Sequence, residues 1–199
     1  MILVIISSLP TAVSNLIMAH VGALPQINRH ITTHDANGKA IFSNDIPEVN
    51  PMKPNSDGIA FALSYTTKGF PVDLTNDTDI NVYRGYLEDA PGLVVSGGTV
   101  LRHVDIPPKT KCAMHRTVSL DYGAVLEGEV ELLLDSGEKK LMKRGDVAIQ
   151  RGTMHQWINP SQTEWTRMLF VLQPCKPLTV AGETFGEELA GMAGVRESD

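Results

Sequence analysis

Two stretches of this 199-residue chain decide the predicted fold. The first runs from Met114 to Gly128 and reads MHRTVSLDYGAVLEG. The second runs from Gly145 to Asn159 and reads GDVAIQRGTMHQWIN. Each is a mainly apolar segment that is interrupted by glycines and contains one histidine. We therefore expect short strands that carry His115 and His155 and that are joined by tight turns.

The first stretch also predicts which side chains share a face. His115 and Thr117 are two residues apart on a predicted strand, so both point the same way. Asp121 lies four residues beyond Thr117 and stays in phase with it if the strand is unbroken. A neighbouring strand could present His155 to the same point. Two imidazoles and one carboxylate with open positions are the ligand set of non-haem Fe(II) oxygenases.

The sequence around these stretches predicts an all-β domain. Short apolar runs alternate with turn formers about every 8–12 residues, which is typical of a sandwich or barrel. Glu129 and Glu131 alternate with Val130 and Leu132, as in a half-buried strand. The predicted strands within the barrel core, residues 98–174, are residues 99–106, 123–127, 129–134, 139–142, 147–150, 155–158 and 167–172. Residues 58–65 form a further candidate strand.

The two stretches resemble the paired signature motifs of the cupin superfamily. His115 stands at the first histidine of the first motif, Thr117 at the second and Asp121 at the glutamate. Gln150 replaces a proline of the second motif. The glycines, the histidine and the asparagine of the two motifs match Gly128, Gly145, Gly152, His155 and Asn159. The resemblance implies a double-stranded β-helix, or jelly-roll, barrel with a homodimeric assembly. Within the superfamily, the chain looks like small single-domain cupin oxidoreductases of fungal polyketide pathways.

This resemblance implies a metal-dependent enzyme. His115, Asp121 and His155 are the expected metal ligands and catalytic residues, and Asp121 could instead act as a base. Fe(II) is the favoured divalent metal, with Zn, Mn or Ni as alternatives. The expected substrate is a small aromatic or polyketide-derived metabolite, and the leading reaction is that of an oxidoreductase or oxygenase of secondary metabolism. Thr117, Trp157 and His103 are expected to line the substrate pocket.

Three other functions stay open at this point. The same metal site could serve a decarboxylase, cyclase or isomerase. A metal-free enzyme could use the three side chains for acid–base chemistry. A non-catalytic barrel could bind a small molecule, with His155 as a hydrogen-bonded barrel histidine. The formal charge of −6 without a Lys/Arg cluster argues against nucleic acid as a partner.

The ends of the chain are expected to differ from the barrel. Residues 1–30 are predicted to form an N-terminal arm, and residues 31–199 a single domain. The apolar run at the start is interrupted by Ser7, Ser8 and Pro10 and is too short to span a membrane. A secretory signal is the minority interpretation, and the two cysteines suit a cytoplasmic location. Dense turn formers in residues 31–97 argue against long helices. A short C-terminal helix is predicted over residues 183–193.

Overall fold

The computed structural model describes residues 24–198, which fold into an all-β domain with one α-helix. Of the N-terminal arm predicted over residues 1–30, residues 1–23 lie outside the described part of the chain. The helical segments are a 3₁₀ turn at Thr75–Asp77 and α1 at Thr78–Glu88. The strands are β1 (Ile27–Asn28), β2 (Thr32–His34), β3 (Ala40–Phe42), β4 (Val49–Asn50), β5 (Lys53–Pro54), β6 (Ala60–Thr66), β7 (Val100–Ile106), β8 (Ser119–Glu127), β9 (Glu129–Leu134), β10 (Lys139–Lys143), β11 (Val147–Arg151), β12 (His155–Ile158), β13 (Thr166–Pro174), β14 (Leu178–Val180) and β15 (Glu183–Phe185).

Two antiparallel sheets form the barrel. The larger sheet has the strand order β11-β8-β13-β7-β6-β5, and the smaller has the order β10-β9-β12. Residues 111–116 add to the free edge of β12 through bridges at Lys111 and His115. Buried side chains from both sheets, including Val104, Val130 and Met168, meet in one apolar cluster. The predicted double-stranded β-helix is therefore confirmed.

Local sequence explains how the chain passes between the sheets. Buried and less buried residues alternate along β8, as the apolar pattern predicts for a strand with one face in the core. Gly128 separates β8 from β9 with a φ of 71°. A Cβ at this position would stand 2.6 Å from the carbonyl oxygen of Trp165, so the close approach of two backbones requires glycine.

The outer face of the larger sheet is covered by residues that precede the barrel core. Ile27 of β1 packs with Met52, Ala60 and Ala62 on this face. Helix α1 buries Ile80 and Tyr83 in a neighbouring cluster. This 11-residue helix was not expected from the turn-rich sequence. Within residues 24–198, no helix is both long enough and apolar enough to cross a membrane.

The predicted C-terminal helix over residues 183–193 is wrong. Residues 183–185 form β15, which pairs with β14, and the chain then continues without a helix. Glu188 instead exchanges backbone hydrogen bonds with Arg116, N–O 2.9 and 2.8 Å. Pairing with the barrel satisfies the backbone groups that an isolated helix would have bonded internally, and Gly186 and Gly191 weaken helix formation further.

Candidate functional site

A cavity opens between the two sheets beneath the C-terminal segment. The cavity and its open mouth together have a volume of about 720 Å³. Its wall is largely apolar and aromatic, with a small set of polar side chains. The lining residues include Ile59, Phe61, Leu93, Arg102, Val104, Ile106, Cys112, His115, Thr117, Asp121, His155, Trp157, Phe170, Leu172 and Met192.

His115 and His155 lie side by side in this wall. The backbone N–H of each donates to the carbonyl oxygen of the other at 2.9 Å, so the two residues form an antiparallel bridge. Their ring centroids are 4.2 Å apart. Both are buried, with 6% and 4% of their surface exposed. The two histidines, forty positions apart in the sequence, therefore meet as predicted.

The same backbone fixes the tautomer of both rings. Nδ1 of His115 lies 2.9 Å from the carbonyl oxygen of Ala113, and Nδ1 of His155 lies 2.9 Å from that of Thr153. A carbonyl oxygen only accepts, so each Nδ1 carries the proton and each Nε2 keeps a lone pair. Burial lowers the pKa of both rings, and that of His155 falls to about 4. Both imidazoles are therefore neutral at neutral pH.

Asp121 supplies a carboxyl group to the same cavity from the opposite sheet. It stands on β8 and has 5% of its surface exposed, and its Oδ1 is buried without a hydrogen-bond partner. Burial raises the pKa of this carboxyl from its ordinary 3.8 to about 7. A group with this pKa can exchange a proton near neutral pH.

Of the three expected pocket residues, two line the cavity. Thr117 is buried beside His115, and Trp157 makes edge contacts with His155 and Phe170 at centroid distances of 5.7 and 5.5 Å. The expectation for His103 is wrong. Alternation along β7 turns His103 to the outer face of the sheet, where its Nδ1 is 2.6 Å from Oγ of Ser64.

Comparison with known proteins identifies the family. The family model for the cupin domain matches residues 102–172. Phomopsin biosynthesis cluster protein D of Diaporthe leptostromiformis is 47% identical over 172 residues, which are 86% of this chain and 89% of the relative. The cupin-domain-containing oxidoreductase virC of Hypocrea virens is 41% identical, over 80% of this chain and 81% of the relative. This chain belongs to the cupin superfamily. Among solved structures, KdgF from Halomonas sp. aligns with this cupin at a TM-score of 0.43 and 16% identity, over 63% of this chain and 89% of that one.

The chemistry of the donors in this cupin suits a divalent metal only in part. Two neutral imidazoles with free Nε2 lone pairs are the form in which histidine binds metals, and their bonded Nδ1 atoms resemble the outer support of such ligands. Within residues 24–198, however, no three His, Cys, Asp or Glu side chains are grouped so that they could hold one ion. The predicted set of His115, Asp121 and His155 is therefore not assembled here, because Asp121 belongs to the other sheet.

Sequence reasoning missed one charged residue of the cavity. Arg102 lies on β7 between Val100 and Val104, in phase with those buried residues. The signal was available, because a charge at an inward position of an alternating strand is costly unless something pairs with it. Arg102 has no ion-pair partner among the described residues, whose acids otherwise pair with several arginines.

Proposed function

We propose that this cupin is an oxidoreductase of secondary metabolism that acts on a small aromatic or polyketide-derived molecule. Its reaction centre is the His115–His155 pair together with Asp121. Its relatives support the reaction class, since several are cupin-domain-containing oxidoreductases and others are biosynthesis cluster proteins of fungi. The observation that carries the proposal is two neutral imidazoles in the wall of one apolar cavity that also receives, from the opposite sheet, a carboxyl group with one unpartnered oxygen.

The proposed cofactor is a divalent metal, with Fe(II) favoured, held by Nε2 of His115 and Nε2 of His155. When bound, such an ion supplies Lewis-acid and one-electron chemistry beside the substrate. Side chains of the protein orient the substrate and exchange protons with it. Trp157 and Phe170 offer aromatic surface that orients a flat substrate. The buried carboxyl of Asp121 accepts or returns a proton of the substrate.

Metal content is the direct test of this centre. The protein is purified without oxygen in the presence of Fe(II), and the iron per chain is measured for the wild type, His115→Ala and His155→Ala. His34→Ala, on the exposed strand β2, is the matched control. We expect stoichiometric iron in the wild type and in the control, and little in the two site variants. Equal iron in all four proteins would overturn the proposed ligands.

Asp121 favours a second candidate, a metal-free acid–base enzyme such as a cyclase or isomerase. Its carboxyl has a pKa of about 7 and lies across the cavity from two neutral imidazoles, so a proton donor and two acceptors face one ligand. This candidate predicts turnover that survives chelation and depends on Asp121. The oxidoreductase predicts turnover that chelation removes and Fe(II) restores.

A homodimer remains part of the proposal. The outer face of the larger sheet exposes Tyr122, Val147 and Ile149 on the paired strands β8 and β11, and 42–57% of each is accessible. Strand β11 is also an edge of that sheet. An apolar face at a free edge is suited to contact with a second copy of the chain.

A further inference from the structure

We propose that Arg102 binds a carboxylate group of the substrate, so that this cupin selects small apolar or aromatic monocarboxylates. The inference deepens the proposed function, because it places the substrate in the cavity of the two histidines. It depends on one half-buried cation, Arg102, that has no anionic partner among the described residues.

Arg102 is fixed in the wall of the cavity by its strand. β7 lies between β6 and β13, where Arg102 is paired with Leu63 and Phe170. Val104 and Ile106 follow it on the same face and line the same cavity. Arg102 therefore stands in the same wall as several apolar side chains, in the region where an apolar ligand would lie.

The guanidinium group of Arg102 donates few hydrogen bonds within the described residues. Nη2 donates to the carbonyl oxygen of Gly92 at 3.0 Å, and Nε is buried without a partner. Within residues 24–198, Nη1 forms no hydrogen bond, and this atom is accessible to solvent. Burial lowers the pKa of Arg102 to about 10, so the group still carries its charge at neutral pH. Most of its hydrogen-bonding capacity is free for a ligand.

The acids that line the cavity do not neutralise this charge. Asp57 and Asp121 both contribute to the wall, yet neither forms an ion pair with Arg102. An unpaired charge against a largely apolar wall is destabilising, because it gives up part of its hydration without gaining a partner. An anionic ligand would offset that cost, which gives the protein a reason to keep the arginine.

The surroundings indicate one negative charge on a flat group. Arg102 is the only Lys or Arg in the described cavity wall, and the two histidines there are neutral. A doubly charged phosphate would find a single cation, whereas a carboxylate matches the planar guanidinium and needs only one. Arg102 also lines a second cavity, whose wall includes Lys53 and Arg196, so the preference for one negative charge applies to the cavity of the two histidines.

Two probes of the same shape test the proposal. Binding of benzoate and of benzamide is measured by calorimetry at neutral pH, in chelator, for the wild type, Arg102→Gln and Arg102→Lys. Arg144→Gln, at an exposed arginine that does not line the cavity, is the matched control. We expect the wild type and control to bind benzoate about tenfold or more tightly than benzamide. Arg102→Gln should lose that preference, and Arg102→Lys should recover part of it.

Three outcomes would overturn the proposal. The first is equal binding of the two probes by the wild type, a measurement that needs no variant to fold. The second is a loss of both probes to the same extent in Arg102→Gln. The third is a benzoate preference that survives Arg102→Gln but disappears in His155→Ala, which would place the carboxylate at the histidines. None of these measurements uses iron or turnover, so failure of the oxidoreductase proposal would be recorded separately.

Discussion

The two faces of the larger sheet both bury polar side chains, but they use them differently. On the outer face, Asp105 and Arg167 form a bidentate ion pair with N–O distances of 2.7 and 2.6 Å. His103 and Ser64 are hydrogen-bonded on the same face. On the inner face, Arg102 has no acid partner and Asp121 has an unpartnered oxygen. Polar groups that are paired within the chain hold the fold together, and groups left unpaired are available to a ligand.

Two arginines show this contrast most clearly. Arg167 and Arg102 lie on neighbouring strands, β13 and β7, and Arg167 is buried whereas Arg102 is half-buried. Arg167 also donates to the carbonyl oxygen of Pro25 at 2.8 Å, which ties the start of the described chain to the sheet. Among the described residues, Arg102 donates to Gly92 and to no other partner. The type of residue is therefore a poor guide to its role, and the state of its partners is a better one.

Breaking the outer ion pair should have the largest effect on stability. Asp105→Ala leaves the Arg167 charge buried, and we expect the free energy of unfolding to fall by about 3–5 kcal/mol in urea titrations. Glu127→Ala is the control, because it removes an exposed pair with Arg144 whose N–O distance is 3.7 Å. That loss should stay below about 1 kcal/mol. Similar losses in both variants would remove the structural role assigned to the outer pair.

On the inner face, Asp121→Asn should change how the stability of the protein depends on pH. Folding raises the pKa of this carboxyl from 3.8 to about 7, so its stabilising contribution is complete below pH 3.8 and is lost as the pH rises through 7. The amide cannot ionise. In chelator, we expect the variant to be more stable than the wild type at alkaline pH, by about 4 kcal/mol at most, and equal to it near the ordinary carboxyl pKa. A variant that is less stable at every pH would contradict the assignment.

Substitutions of His103 and His155 should have different effects, the first on stability and the second on metal binding. His103→Ala removes one of the two hydrogen bonds of the Ser64 hydroxyl, which still accepts from Nδ2 of Asn50, and should lower the free energy of unfolding by about 1–3 kcal/mol. Its iron content should match that of the wild type, since His103 lies on the face away from the cavity. His155→Ala should show the loss of iron instead. Urea titration and metal analysis of the same preparations compare the two, and loss of iron in His103→Ala would break the division between the faces.

The smallest change in stability is expected at the exposed apolar patch of the outer face. Ile149→Glu alters a side chain that is 52% accessible, so the free energy of unfolding should move by no more than about 0.5 kcal/mol. Light scattering should nevertheless show a monomer where the wild type is a dimer. Leu141→Glu, at an apolar side chain of similar exposure on strand β10 of the other sheet, provides a control with the same change of charge. A monomeric wild type would refute the proposed dimer.

The strands of the barrel core were predictable because apolar and polar residues alternate along them, and this alternation indicates which face of each strand is buried. Residues 123–127 and 129–134, on either side of Gly128, are examples in which pattern and structure agree. Helix α1 was missed because Gly85 and the surrounding turn formers obscured the helical spacing of Ile80 and Tyr83. The helix predicted over residues 183–193 failed because tertiary pairing with Arg116 replaced local propensity.

The candidate site was predictable only in part. The spacing of the two motifs brought His115 and His155 together, since each lies at a fixed position of its strand. The sequence did not show which sheet carries Asp121. Alternation along a strand predicts which face a side chain occupies, but not which sheet the strand joins. His103 was assigned to the wrong face, and Arg102, its neighbour, was overlooked. A shift of one residue along a strand exchanges the two faces, so both errors have the same cause.

The path of the C-terminal segment has a practical consequence. Met192 and Ala193 line the cavity, and Ser198 accepts a hydrogen bond from the backbone of Val94 while its own N–H bonds Glu187. Substitutions confined to Met192 and Ala193 would therefore reshape the wall of the cavity while every barrel strand keeps its native sequence.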